Sequence, residues 1–106
     1  MVKRGDVWLA ALDPTIGSEI RKTRPCLIVS PPEIHDHLRT VIVAPMTSGS
    51  RPAGFRAPIS FQGVEGLILL EQARALDKRR LVKNLGQVPD EVLKPALRVL
   101  RELYEE

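Results

Sequence analysis

The chain has 106 residues, 43% of them hydrophobic, with a formal net charge of +3. A chain of that size buries roughly 65% of the surface its unfolded form exposes, which suits one domain over 1–106 and excludes a second core. No apolar stretch approaches the ~20 residues that cross a bilayer, and Met1-Val2-Lys3-Arg4 leads into Gly5-Asp6, so neither a membrane partner nor a secretory signal is expected.

Gly5 opens a strand over 6–12, which Asp13-Pro14 ends. A loop containing Gly17-Ser18 runs from there to Thr23, longer than a hairpin needs and of the kind that carries binding residues. The stretch Thr23-Arg24-Pro25-Cys26-Leu27-Ile28-Val29-Ser30 is the organising element. Pro25 biases Arg24 toward extended geometry, Leu27 and Val29 point to one side, and Cys26 and Ile28 point to the other. Both sides are apolar, so this strand belongs in the middle of a small sheet or barrel. Arg24 then stands at the mouth of a rigid strand, where a charge can be aimed. A surface cation capping the strand is the ordinary reading of such a residue. Cys26, the only cysteine, cannot form an internal disulfide; it reads as an inert core residue and points to a cytoplasmic setting.

Pro31-Pro32 stops the strand, and 33–38 is a turn or one helical turn. A third, β-branched strand covers 40–44 and is closed by Pro45; residues 46–54 read as a second long loop. A weaker strand over 57–61 contains Pro58, which implies an edge position or a strand start. A turn at 62–66 precedes a strand at 67–70. Propensity predicts a helix over 71–81, with Leu69, Ala73, Leu76 and Arg80 near one face. Residues 84–89 are irregular with room for a short last strand. The clearest helix covers 90–104: Leu93, Leu97, Leu100 and Tyr104 recur at helical spacing, and Asp90 and Glu91 suit the dipole of the first turn. Pro95 predicts a kink there, or a separate first turn before the main helix.

The charge is unevenly spread. The first sixty residues hold 8 basic against 5 acidic residues, so the whole excess of +3 falls there, much of it around Arg21 to Arg24 and Arg51 to Arg56. Such a patch suits nucleic acid, although a merely solvated basic surface accounts for it equally well.

Gly5-Asp6-Val7-Trp8, Asp13-Pro14-Thr15, Gly17-Ser18-Glu19, Lys22-Thr23-Arg24-Pro25 and Pro45-Met46-Thr47-Ser48 form an ordered set. Gly66-Leu67 and the run from Glu71 to Leu81 continue it. Together they resemble the MazF/PemK family of toxin endoribonucleases over nearly the whole chain. No piece is specific alone; the order and spacing carry the resemblance. It implies a mainly β, SH3-like barrel with a C-terminal helix, a homodimer, and a strand over 71–81 in place of the helix that propensity predicts. It also implies cleavage of single-stranded RNA without a metal or other cofactor, and a cognate antitoxin whose acidic, disordered segment folds onto the basic groove. By position, Arg24 and Thr47 take the places of the family's catalytic pair. Ser18 and Glu19 fall where the family contacts RNA from the first loop, and Gln72 where it does so from the later strand. Lys22, Ser48 and Arg56, in the same motifs and basic loops, complete the expected RNA-binding set. Ile20 stands where the family commonly has Gln, which puts the recognised motif in question more than the chemistry.

These residue types suit that chemistry. When a 2′-hydroxyl attacks the neighbouring phosphorus, charge grows on the phosphoryl oxygens and two protons must move. A guanidinium matches two phosphate oxygens and stays charged, and a threonine hydroxyl can donate to the same group. Arginine is a poor base at neutrality, which leaves Glu19 as the candidate base. His35 and His37 flank Asp36 and could in principle serve in acid–base work or hold a metal; solvated turn histidines are the plainer reading. Trp8 and Tyr104 read as core or interface, while Phe55 could stack a base or pack in the core. Two other functions stay open at this point. One is a non-catalytic toxin of the CcdB type acting on gyrase, since fold does not fix function. The other is a plain basic nucleic-acid-binding module.

Overall fold

The computed structural model describes residues 1–12 and 22–105. Within them the order is β1 (Asp6–Ala11), β2 (Thr23–Ile28), α1 (Pro32–His35), β3 (Thr40–Thr47), β4 (Arg56–Phe61), β5 (Val64–Leu69), β6 (Arg74–Asp77), β7 (Leu81–Gln87) and α2 (Asp90–Leu103). The strands neighbour one another as β4-β5-β3-β2-β1-β7, with β6 also paired to β3. Ser18, Glu19, Ile20 and the Asp13-Pro14 strand end lie outside the described residues.

β2 is central for the reason its composition predicts. Leu27 and Val29 enter one core cluster with Val7, Ala44, Ile59 and Ile68. Cys26 and Ile28 enter a second with Ala10, Val41, Val43 and Leu76. Burial pushes the Cys26 thiol from 9.0 up to about 12, with the positive charge of Arg74 opposing the shift, so it stays a protonated core group at neutral pH. β1 enters the sheet through Asp6, a buried carboxylate whose oxygens accept from Lys3 N (2.9 Å), Trp8 Nε1 (3.3 Å) and Gln87 Nε2 (2.9 Å). The Asp6 carboxylate is thereby tied to the N-terminal turn, to Trp8 of β1 and to β7.

β3 is the branch point. One edge pairs with β2. The other pairs first with β6, from Thr40↔Asp77 to Val43↔Arg74, and then with β5 at Met46↔Ile68 and Thr47↔Leu67. The sheet splits there and curls into a half-barrel. Pro45 does not close the strand, as the sequence suggested. It falls between the β6 and β5 ladders, where a missing N–H interrupts neither. Thr47 is therefore the last residue of a strand rather than the head of a loop. β4 lies at the end of the strand order, as Pro58 requires. Its hairpin to β5 turns through two residues, Gln62 (φ 50°) and Gly63 (φ 78°), the backbone of a type I′ turn.

The propensity helix over 71–81 is not formed. Single 3₁₀ turns at Leu70–Gln72 and Lys78–Arg80 flank β6. Ladder pairing to β3 outweighs a preference worth only tenths of a kcal/mol per residue, about 0–0.7. The strand implied by the resemblance is present over Arg74–Asp77. The last strand for which 84–89 left room is formed as β7, which begins earlier than expected and runs seven residues to Gln87. α2 runs as one helix through Pro95, so of the two expected arrangements, a kink or a separate first turn, the separate turn is not formed. Val92, Leu93, Ala96, Leu97 and Leu100 lay its apolar face on the first cluster. Tyr104 is 78% exposed at its C-terminal end and so is no core residue. Among the described residues no helix is long and apolar enough to cross a membrane.

Candidate active site

β2 and β3 run antiparallel with Ile28 opposite Val43, Leu27 opposite Ala44 and Cys26 opposite Pro45. Beyond that ladder, Arg24 near the start of β2 and Thr47 at the end of β3 come to the same end of the strand pair. Both residues border one groove of about 250 Å³, together with Pro25 and Ser48. Arg24 is half-buried, and its backbone is registered to Ala10 of β1. A guanidinium on that stem is carried by a central strand whose backbone is held to β1 at Arg24 itself and to β3 from Cys26 onward.

Thr47 is held in three ways. Its backbone pairs with Leu67. Its hydroxyl accepts the N–H of Gly49 (3.2 Å), which leaves the hydroxyl proton for another acceptor. The third is Gly66, whose missing side chain lets β5 lie against the end of β3. A Cβ at Gly66 would stand 2.5 Å from the carbonyl oxygen of Thr47 and 3.4 Å from Cα of Ser48. Two donors, one charged and one neutral, thus face a single open groove. That arrangement can hold a phosphate group and take up charge on its oxygens.

The remaining expected residues are dispersed. Ser48 joins Arg24 and Thr47 at the groove. Lys22 is exposed at the mouth of β2 in a left-handed conformation (φ 69°), its carbonyl accepting from Leu12 N (2.9 Å). Gln72 is half-buried in the 3₁₀ turn after β5 and does not border the groove. Arg56 is committed to protein partners: Nε and Nη2 donate to Glu71 Oε2 (2.9 and 2.6 Å) and Nη1 to the carbonyl of Arg51 (3.0 Å). Its guanidinium also lies 5.6 Å from the Phe55 ring. Phe55 is 40% exposed, so core packing does not account for it.

His35 is not a solvated turn histidine. It is 1% exposed, and its Nδ1 is hydrogen-bonded to Ser30 Oγ (3.0 Å), which also accepts the N–H of Ile42 (3.1 Å). Lys78 Nζ donates to its carbonyl. This network joins α1 to β3 and to the 3₁₀ turn after β6, away from the groove. His37 is exposed. Among the described residues no three His, Cys, Asp or Glu side chains gather as metal ligands would.

Residue-type reasoning passed over the rest of the groove wall. Ile59, Phe61, Gln62, Val64 and Leu85 border it. Strand alternation gives apolar wall residues the same signature as core residues, so only Gln62-Gly63, a turn dipeptide, and Gly66, already part of the motif set, carried any signal.

This half-barrel with its arginine–threonine groove has the frame of a small β-barrel toxin. It matches the crystal structure of MazF (Form-I) from Deinococcus radiodurans with a TM-score of 0.86 and 27% identity, covering 96% of this chain and 94% of that one. The MazE–MazF complex (Form-I) from the same organism also matches, with a TM-score of 0.73 and 27% identity over 96% and 94% of the two chains. In sequence the chain is 38% identical over 102 residues to Endoribonuclease PemK of Escherichia coli, covering 91% of this chain and 77% of that protein. It is 36% identical over 110 residues to Endoribonuclease toxin ChpB of Escherichia coli (strain K12), covering 97% and 94%. Residues 3–104 match the PemK-like, MazF-like toxins of type II toxin–antitoxin systems, and the chain belongs to that family.

Proposed function

We propose that this endoribonuclease toxin cuts single-stranded RNA at short sequence motifs without a metal, leaving 2′,3′-cyclic phosphate and 5′-hydroxyl ends. The observation that carries the reading is the single groove bordered by Arg24, Thr47 and Ser48 at the end of the central ladder. The scissile phosphate lies between the Arg24 guanidinium and the Thr47 hydroxyl. The 2′-hydroxyl oxygen attacks phosphorus in line, the bond to the 5′-oxygen breaks, and the 5′-oxygen leaves with a proton taken from solvent water. Arg24 and Thr47 stabilise charge on the non-bridging oxygens, each such donor contributing on the order of 3–4 kcal/mol. Arg24 cannot take the 2′-proton at neutral pH. Ser18, Glu19, Lys22 and Gln72 guide the flanking RNA, and Glu19 is the candidate among them to accept the 2′-proton.

The 106 residues act as one domain in the cytoplasm, as a homodimer. A cognate antitoxin neutralises the toxin by laying an acidic, disordered segment over the basic groove, in keeping with the family's place in type II toxin–antitoxin systems. The test is incubation of antitoxin-free protein with a long single-stranded RNA in EDTA, with the ends mapped by primer extension. Cyclic phosphate ends at a recurring motif are expected. RNA left intact at micromolar protein would overturn the cleavage reading.

A further inference from the structure

The path of strands begins with β4 and ends with β7, and these two edges come together without a ladder. Two contacts close the seam. Gln62 Nε2 donates to the carbonyl of Leu85 (2.8 Å), and the Phe61 ring stands 3.5 Å from where a Cβ on Gly86 would be. The groove that starts at Arg24 and Thr47 reaches this seam, where its wall turns apolar: Ile59, Phe61, Val64 and Leu85. Val64 is 59% exposed there although it is an aliphatic strand residue. Gln62 holds a left-handed backbone (φ 50°), a conformation that favours Asn or Gly. Its side chain spans to Leu85, a bond that shorter Asn would not reach from the same turn.

We infer that the seam end of the groove is a nucleobase subsite, taking the unstacked base of a nucleotide that flanks the scissile phosphate. The inference rests on the proposed cleavage of single-stranded RNA. A nucleotide whose phosphate sits at Arg24 and Thr47 carries its base one sugar away, and an RNA chain threading the groove must put that base somewhere. The seam offers flat and aliphatic side chains for its faces. Gln62 offers an edge: after one N–H is given to Leu85, its amide retains a second donor and its carbonyl acceptor. Neighbouring donor and acceptor positions are what the rim of a nucleobase presents. The positive charge of Arg24 at the same groove favours a nucleotide over an uncharged apolar peptide side chain.

The test uses the full chain and a single-stranded RNA bearing the mapped motif, made uncleavable by a 2′-deoxy sugar at the attacked position. Two companion oligonucleotides lack the base on one or the other side of the scissile phosphate. Binding is read by fluorescence anisotropy for the parent protein, Val64→Ser and Gln62→Asn. Val64 is exposed and Asn suits a left-handed turn, so both variants are expected to melt like the parent. One abasic oligonucleotide should bind ~10-fold more weakly to the parent protein. Each variant should bind the intact oligonucleotide several-fold to ~10-fold more weakly and lose little further when that base is missing. Gln62→Asn should also change the base preferred at that position when cleavage is mapped on a long RNA. Losses that simply add, or variants that bind RNA like the parent, would overturn the subsite. So would variants that bind RNA normally and lose affinity only for an acidic apolar peptide, since that result makes the seam a peptide site. RNA that is bound with the expected coupling but never cut would remove the cleavage reading and leave the subsite standing.

Discussion

β2 carries chemically capable residues at both of its ends, and the fold treats them in opposite ways. At its start, Arg24 borders an open groove beside Thr47 and Ser48. Just past its end, Ser30 and His35 are buried, with the serine hydroxyl engaged by the His35 ring and by Ile42, and the His35 carbonyl engaged by Lys78. By residue type the second end is the more suggestive, since histidine is the usual proton carrier of catalysis. The difference teaches that a site is defined by which polar groups the fold leaves facing a groove. Where buried polar groups bond to one another, as at Ser30 and His35, the network holds elements together.

The sharpest way to break the comparison is at the groove end. Arg24→Ala and Thr47→Ala should each lower kcat/KM for RNA cleavage by on the order of 10²–10³ while thermal melting stays near that of the parent. If either variant loses stability and keeps cleavage, the two ends have been assigned the wrong way round. Gly66→Ala comes next. Its new Cβ meets the Thr47 carbonyl, so the end of β3 must shift. Displacing a reacting group by ~1 Å costs ~10² in rate, and cleavage should fall by that order with only a modest drop in melting temperature.

The closed end should respond in the reverse sense. Ser30→Ala leaves the buried His35 ring and the Ile42 N–H without their partner, which should cost about 1–3 kcal/mol in denaturant unfolding and leave kcat/KM close to the parent value. Between the two ends lies Cys26, and its titration adds a pH window. The unfolded thiol loses its proton near pH 9, while the folded one holds it to about 12. The stabilisation is therefore full below pH 9 and is lost as pH rises toward 12, at roughly 1 kcal/mol per pH unit. Unfolding curves of the parent and Cys26→Ala should diverge in slope across that window; parallel slopes would show that the thiol is not buried as described.

The smallest effect separates two arginines that look alike in the sequence. The Arg56 fork is held by Glu71 and the Arg51 carbonyl. Arg56→Gln should cost no more than about 1 kcal/mol in stability and leave the salt dependence of RNA affinity unchanged. A slope reduced by about one would return Arg56 to the residues that touch phosphate.

Much of this was legible before any coordinates. A run that is apolar on both sides, Cys26 to Val29, read as a central strand and is one, and of the two readings of Pro58, an edge or a strand start, the edge is the one formed. The order of the motifs singled out Arg24 and Thr47 together, and both border one groove. Residues 71–81 were misread by propensity because their preference for helix is weak and the open edge of β3 was invisible in one dimension. Pro45 was misread for a similar cause: whether a proline ends a strand depends on whether a neighbour needs its N–H.

The linear order of residues determined, by itself, which strand is buried on both sides, which segment makes the amphipathic terminal helix and which family the chain resembles. Those are consequences of periodicity, fixed φ and motif spacing, all local properties. Only the folded chain decided that Arg56 is paired to Glu71, that His35 is sealed against Ser30, and that β4 and β7 meet at a seam beside Arg24 and Thr47. Those outcomes depend on pairings between residues far apart in sequence, which no local pattern encodes.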